Sequence, residues 1–357
     1  MRAFIELVRL SQVPQHDSQI HDIVSKLKLI LNTFPILLLR PPPPAPKYDE
    51  IVFENPIHRR HRGRDCWEEL SNDGARFRNL TGETPEDLAT IIDDLMFHLL
   101  SRRHFPRRFR PFKLTARNRM LMIFIWLRQY PREELLAAWF GVSTQIVSKD
   151  IQYLVPVLWH YFRSQIKWPN HEQWLQLRGA WEEFPDAVGA IDGTPTEINR
   201  PQSEPQHEFY SGHRHYHCIS TQIIISNDKN IVFLRSGFPG HSYDASQYRL
   251  LPEIGNGLEL HLPENVYLLA DSIYPNRYPL LTPFKNNQMG NLNREDVALY
   301  NLAHRRCRVF VEHAISYFKT YGVIKGIYRH ERWFLPVVAD VCAALAHRHI
   351  VVNQQLR

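Results

Sequence analysis

The sequence predicts an α/β chain in which a mixed sheet with flanking helices follows an all-α region containing a helix-turn-helix. Three observations carry this reading. Apolar residues recur at helical spacing between about 84 and 168. Past Glu183 the pattern changes to short apolar runs bounded by turn residues, and two of those runs end in an acid. A long helical pattern with one further acid inside it closes the series. The division that follows is 1–80 accessory or partly disordered, 81–170 helical, 180–325 the acid-bearing sheet domain, and 326–357 a C-terminal helical segment.

In the accessory region, Pro41-Pro42-Pro43-Pro44 favours an extended segment and interrupts any helix. His58-Arg59-Arg60-His61-Arg62-Gly63-Arg64 is a compact basic tract, which suits nuclear import, phosphate contact or a solvated loop equally.

The helical region begins at Thr84-Pro85-Glu86-Asp87, a capping hydroxyl followed by a first-turn proline and two acids. Leu88, Ile91, Ile92, Leu95 and Leu99 follow at helical spacing. An arginine-rich run from Arg102 to Lys113 comes next, and a second helix is expected from Thr115, with Met120, Phe124 and Leu127 on one face. Over 133–158 the pattern is helix, turn, helix: Glu133–Phe140, then Gly141 for the turn, then Ser143 as cap. Ile146, Val147, Ile151 and Leu154 would pack inward. Thr144, Gln145, Ser148 and Lys149 would then face outward, where they can reach base edges or phosphates. DNA is the expected partner of this unit.

In the sheet domain, Ala187-Val188-Gly189-Ala190-Ile191 is a short strand ending in Asp192-Gly193-Thr194. Two strands at 218–225 and 231–234 flank the turn Ser226-Asn227-Asp228-Lys229-Asn230. A helix over 243–251 leads to the strand Val266-Tyr267-Leu268-Leu269-Ala270, which again ends in an acid, Asp271. A helix over 294–319 carries Glu312. This order is how an RNase H-like sheet gathers distant carboxylates, with the first and fourth strands adjacent and the helix packed across them. Asp192, Asp271 and Glu312 are therefore the candidate catalytic and metal-binding residues. Hard divalent cations take oxygen ligands, and two such ions, Mg²⁺ or Mn²⁺, suit phosphodiester chemistry.

At these residues the chain resembles the PIF/Harbinger superfamily of DDE transposases and the nucleases derived from them. The resemblance rests on Gly189-Ala190-Ile191-Asp192-Gly193-Thr194, Tyr210-Ser211-Gly212, Gly240-His241-Ser242-Tyr243-Asp244, Leu268-Leu269-Ala270-Asp271-Ser272 and Arg308-Val309-Phe310-Val311-Glu312. It covers about 186–319. It implies a two-metal nuclease site, upstream helices that bind DNA, and a separate Myb-like protein that assists recruitment and nuclear entry. Two positions depart from the pattern: Ile273 replaces a glycine, and His213-Arg214-His215-Tyr216-His217 replaces a lysine-rich stretch. Neither is a metal ligand in this reading. They leave open whether the chain is an active enzyme or a DNA-binding adaptor that has lost the chemistry.

Other features bound the reading. Net charge is +6 with a pI of about 9.1, which favours a polyanionic partner. Arg308 lies one helical turn before Glu312, with Arg305 and Lys319 two turns to either side, a basic stripe suited to DNA or to solvent. His213, His215 and His217 alternate, but same-face strand positions about 6–7 Å apart are too far separated for one zinc. Asp244 reads either as a cleft residue or as a helix cap. Cys66, Cys218, Cys307 and Cys342 lack metal-site spacing and read as buried thiols. No P-loop, dinucleotide fingerprint or GxSxG elbow is present. No apolar run suggests a membrane partner. A homo-oligomer and a nuclear location, with some cytoplasmic presence, complete the expectation.

Overall fold

The computed structural model describes residues 63–96, 113–202, 204–285 and 293–355. The proline run, most of the basic tract before Arg64, Leu99 and the arginine run at 102–110 lie outside the described residues.

The first difference from expectation is at the start. Residues counted as accessory form α1 (Cys66–Ser71) and α2 (Gly74–Thr81), capped by the side chains of Asp65 and Asp73. Trp67 and Phe77 enter the core and meet edge to face, with ring centroids 5.2 Å apart. The apolar contacts of these short helices outweigh the disordering influence of the neighbouring basic tract.

Next comes α3 (Pro85–Asp94), opened as expected by the Thr84 hydroxyl, which accepts from the Asp87 backbone amide at 3.1 Å. The following helix, α4 (Ala116–Gln129), departs from the one-faced amphipathic form: every residue from Asn118 to Leu127 is buried. It is the axle of the helical layer, surrounded by neighbours on all sides. The helix-turn-helix forms as α5 (Glu133–Phe140) and α6 (Thr144–Phe162), joined through Gly141 at a φ of 64°. That left-handed turn favours glycine. Val147, Ile151 and Leu154 are buried, whereas Ile146 is only half-buried. Ser143 occupies the cap position without a side-chain cap bond. A buried pair, Arg119 Nη2 to Asp150 Oδ1 at 2.6 Å, ties α4 to α6. A short α7 (His171–Gln176) leads into the sheet.

The sheet combines β1 (Ala187–Glu197), β3 (Tyr216–Ser226), β4 (Ile231–Pro239), β7 (Tyr267–Leu269) and β8 (Leu280–Leu281). β3 runs antiparallel to both β1 and β4, while β7 lies parallel to β1 and β8 parallel to β7. The α8 turn (Gln206–Phe209) and β2 (Tyr210–Ser211) extend the start of β3. Between β4 and β7 lie α9 (Asp244–Tyr248), shorter than the expected helix, and a small ladder of β5 (Ile254–Gly255) and β6 (Leu260–His261). The mixed sheet, flanking helices and adjacency of the first and fourth expected strands are all observed.

Three helices complete the chain: α10 (Arg294–Phe318), α11 (Gly322–Lys325) and α12 (Leu335–Gln355). α10 buries His304, Cys307, Val311, Ala314 and Phe318, a three-then-four spacing that lays one stripe on the sheet. α12 packs on β4, α6 and α10. The span Arg332–Val352 is long and apolar enough to cross a bilayer, yet 61% of it is buried within the fold, the signature of a core helix. One continuous apolar core joins residues from Cys66 to Ile350, so the helical layer and the sheet pack as one body.

Candidate active site

The parallel ladder between β1 and β7 ends at Ala190 opposite Leu269. Asp192 and Asp271 each stand two residues beyond that last pair, at matched register where the two strands part. Asp192 is not the end of its strand, as the sequence reading had it. β1 continues to Glu197, held by β3, with Asp192 opposite Ile223 and Pro195 opposite Ser220. Pro195 fits there because β1 beyond Ala190 has only one strand partner. Each acid is fixed by the next backbone amide: Gly193 N donates to Asp192 Oδ1 at 2.8 Å and Ser272 N to Asp271 Oδ1 at 2.6 Å.

Glu312 comes to the site indirectly. The Arg308 guanidinium donates through Nη1 to Asp192 Oδ2 at 2.9 Å and through Nη2 to Glu312 Oε1 at 2.7 Å. The side chains of Arg308 and Asp192 are 17% and 18% exposed, against 51% for Glu312, so the third acid stands at the rim. Arg305 is exposed further along α10. Lys319, at the C-cap, is half-buried, and burial together with the Arg214 charge lowers its pKa. At the helix-turn-helix, Gln145 and Lys149 are exposed and Thr144 and Ser148 half-buried, so all four sit on the accessible side of α6.

Sequence reasoning left Asp244 open, and the structure places it in the cleft. It is the first residue of α9, one past the N-cap Tyr243. Its Oδ1 accepts from Gln222 Nε2 at 2.9 Å. Gln222, buried in the middle of β3, also donates to Gln247 Oε1 at 2.9 Å and accepts from the Tyr274 hydroxyl at 2.5 Å. A Cβ added at Gly193 would lie 2.2 Å from Asp244 Oδ1. The glycine after Asp192 is thus the space the Asp244 carboxylate occupies. The available signal was the polar step Ser220-Thr221-Gln222 inside an isoleucine-rich strand, a pattern that demands a buried partner.

The cleft has a volume of 540 Å³, and Asp192, Asp244, Asp271, His213, Arg214 and Arg308 contribute to its walls. Burial pushes the Asp192 carboxyl up to about 6, against the opposing pull of Arg308, and the Asp244 charge adds to the rise. Burial likewise raises Asp244, helped by Asp271. The three aspartates therefore share one field and crowd one another. Their donor set is all oxygen, as a hard divalent cation requires. Among the described residues, though, no three acids, histidines or cysteines stand together at ligating distances; Arg308 provides the positive charge between Asp192 and Glu312.

The histidine series does not share one strand face. His213 and His215 lie in the turn before β3, with His215 at a φ of 62°, and only His217 is in the strand. All four cysteines are buried free thiols, as expected.

These elements are a helix-turn-helix ahead of a mixed sheet that carries the acids. Residues 191–347 match the family described as DDE superfamily endonuclease, and residues 112–163 match the helix-turn-helix of the same endonucleases. These matches, with the two relatives below, support a DDE transposase-derived family. A protein from Arabidopsis thaliana named "Protein ALP1-like" is 24% identical over 233 residues, covering 60% of this chain and 55% of the plant protein. The chain thus spans about half of that relative's length. A probable transposase for insertion sequence element IS702 from Microchaete diplosiphon is 23% identical over 229 residues, covering 62% of this chain and 77% of that protein. No solved structure matches the chain.

Proposed function

We propose that this chain is a divalent-metal-dependent DNA endonuclease and strand-transfer enzyme of DDE type, either an active transposase or a domesticated nuclease derived from one. The observation that carries the reading is the matched placement of Asp192 and Asp271 beyond the β1–β7 ladder, with Glu312 one arginine away. Asp192 and Asp271 would hold Mg²⁺ or Mn²⁺ between the parted strands, and Glu312 would complete a second ion's site once Arg308 releases it. A bound divalent ion supplies charge for the scissile phosphate and an acidified water or 3′-hydroxyl.

The chain's own groups do the positioning. Gly193 N and Ser272 N orient the two acids. Arg308, freed from its carboxylates, can reach a backbone phosphate, with Arg305 and Lys319 continuing the basic stripe. Thr144, Gln145, Ser148 and Lys149 on α6 would read or grip the duplex. A homo-oligomer, a Myb-like helper protein and a nuclear location belong to the same proposal, on the family resemblance.

One observation favours a second reading, a DNA-binding adaptor without chemistry: Arg308 already pairs with two of the three acids. The experiment is nicking of supercoiled plasmid in Mg²⁺ and in Mn²⁺ by wild type and by Asp271→Ala, beside Mn²⁺ binding to each. The expected result is metal-dependent nicking and Mn²⁺ affinity in wild type, with both lost in the variant. Nicking that survives in Asp271→Ala rejects the site, and DNA binding with no Mn²⁺ affinity selects the adaptor.

A further inference from the structure

Away from the cleft, a pocket of about 270 Å³ lies where the turn between α2 and α3 meets the ends of α4, α10 and α12. Arg78, Arg128 and Arg348 stand around it, brought from three different helices. Like charges converging on one small volume repel, and the repulsion grows as water is excluded. The two acids on the pocket wall offset part of that charge, but neither bonds a guanidinium. Glu83 is buried and accepts from His349 Nε2 at 3.0 Å, while Asp87 accepts from the Thr84 hydroxyl at 2.7 Å.

Among the described residues, none of the three guanidiniums has a side-chain hydrogen bond or an ion pair. Arg128 Nη1 and Arg348 Nε are buried with no acceptor at all, a costly state for a charged donor. Both side chains are nevertheless held in place. Arg128 lies over the Tyr321 ring at 5.5 Å and Arg348 over the Phe162 ring at 5.8 Å. The Tyr321 hydroxyl is buried and also unpartnered. It lies 3.7 Å from where a side chain at Gly82 would begin. Gly82 lines the pocket at a φ of 88°, a left-handed conformation in which a bulkier residue is strained. A Cβ built at Gly82 would also touch the Arg128 stem at 3.6 Å, so the glycine backbone lies against both that stem and the Tyr321 hydroxyl.

We propose that this pocket binds a phosphate-type oxyanion, which pins the helical layer to the last turns of α10 and α12. Guanidinium forks match the paired oxygens of phosphate, and three of them call for more charge than one carboxylate carries. The phosphate comes either from a free small anion or from a nucleic-acid backbone, and the two sources are separable.

The test uses the full chain and titrates inorganic phosphate and pyrophosphate by calorimetry at constant ionic strength, with thermal unfolding alongside. Saturable binding of one anion per chain is expected, with a rise in Tm. Arg348→Gln should weaken it about tenfold, the size of one lost charge-assisted contact. Arg78→Ala, at an exposed position that leaves the core intact, should weaken it less, and Arg277→Gln, exposed and outside both the pocket and the cleft, should leave it unchanged. A short DNA duplex that displaces phosphate from wild type identifies the backbone as the source; independent binding of duplex and phosphate identifies a free anion. Absence of saturable binding overturns the proposal. So does an affinity that falls in Arg277→Gln while surviving in Arg78→Ala and Arg348→Gln.

Discussion

Two buried arginine–aspartate contacts in this molecule use the same chemistry for opposite ends. In the helical layer Arg119 clamps Asp150 through Nε and Nη2, at 2.6–3.1 Å, with side chains only 4% and 11% exposed. In the cleft Arg308 gives one N–H to Asp192 and another to Glu312, at the mouth of a 540 Å³ space. The first arrangement closes Nε and Nη2 on one enclosed carboxylate. The second divides the fork between two carboxylates that open space can hydrate. A bidentate, enclosed pair fixes helix crossing; a divided, half-open one leaves each partner able to exchange for another ion.

Deleting each arginine in turn separates the two arrangements. Arg119→Met strands the Asp150 carboxylate among apolar helices and should cost about 3–5 kcal/mol of stability, the usual penalty for half of a buried pair. Arg308→Met should cost about 1 kcal/mol or less, because Asp192 and Glu312 regain water and Asp192 titrates higher still without its cation. Urea unfolding of both variants checks this. Equal losses would make Arg308 a structural residue and remove the distinction between the two pairs. Restoring the Arg119→Met protein by adding Asp150→Leu would show that the stranded charge, not lost volume, carries the cost.

A second prediction sharpens what the cleft is for. Gly193→Ala introduces a Cβ 2.2 Å from Asp244 Oδ1 and 2.8 Å from Gln222 Nε2. The carboxylate must move, and the Gln222 network with it. If the site is the nuclease proposed above, nicking by Gly193→Ala should fall about 10–100-fold, the range seen when groups behind a metal site are lost. Asp244→Asn should produce a similar fall with less loss of Tm. Full activity in both variants would make Asp244 a bystander. Loss in Gly193→Ala alone would put the fault in backbone strain.

How far these features could be read from sequence depends on how local their causes are. Asp192 and Asp271 were legible because each follows an apolar strand, and α5, Gly141 and α6 because turn chemistry and helical spacing agree over a short span. The extension of β1 through Gly193-Thr194-Pro195 was not, since those residues favour a turn until nine paired positions on β3 hold them extended. Asp244 was ambiguous because an acid opening a helix has a local explanation, and only the non-local Gln222 decides against it. Arg119 inside the apolar run of α4 gave no sign of its partner, which lies 31 residues away on α6. The caps of α1 and α2, Asp65 and Asp73, were readable but stood beside a basic tract that argued for disorder.

A third carboxylate, Asp340, is half-buried and, among the described residues, bonds no arginine. Asp340 on α12 accepts from Trp159 Nε1 at 2.7 Å beside a pocket of about 230 Å³ that Phe162 and Trp168 help to wall. Burial pushes its carboxyl up to about 7. Since the unfolded chain releases this proton near pH 4, folding takes up a proton between about pH 4 and 7. The stability that Asp340 contributes is therefore complete below about 4 and is lost as pH rises through 7. Asp340→Asn keeps an acceptor for Trp159 and removes the titration. Its Tm should match wild type near pH 4 and exceed it at pH 8, by roughly 2–4 °C for each kcal/mol relieved. A variant no more stable than wild type at pH 8 would mean that the ionised carboxylate finds compensation in that pocket. Asp340 would then resemble the hydrated acids of the cleft and not the enclosed Asp150.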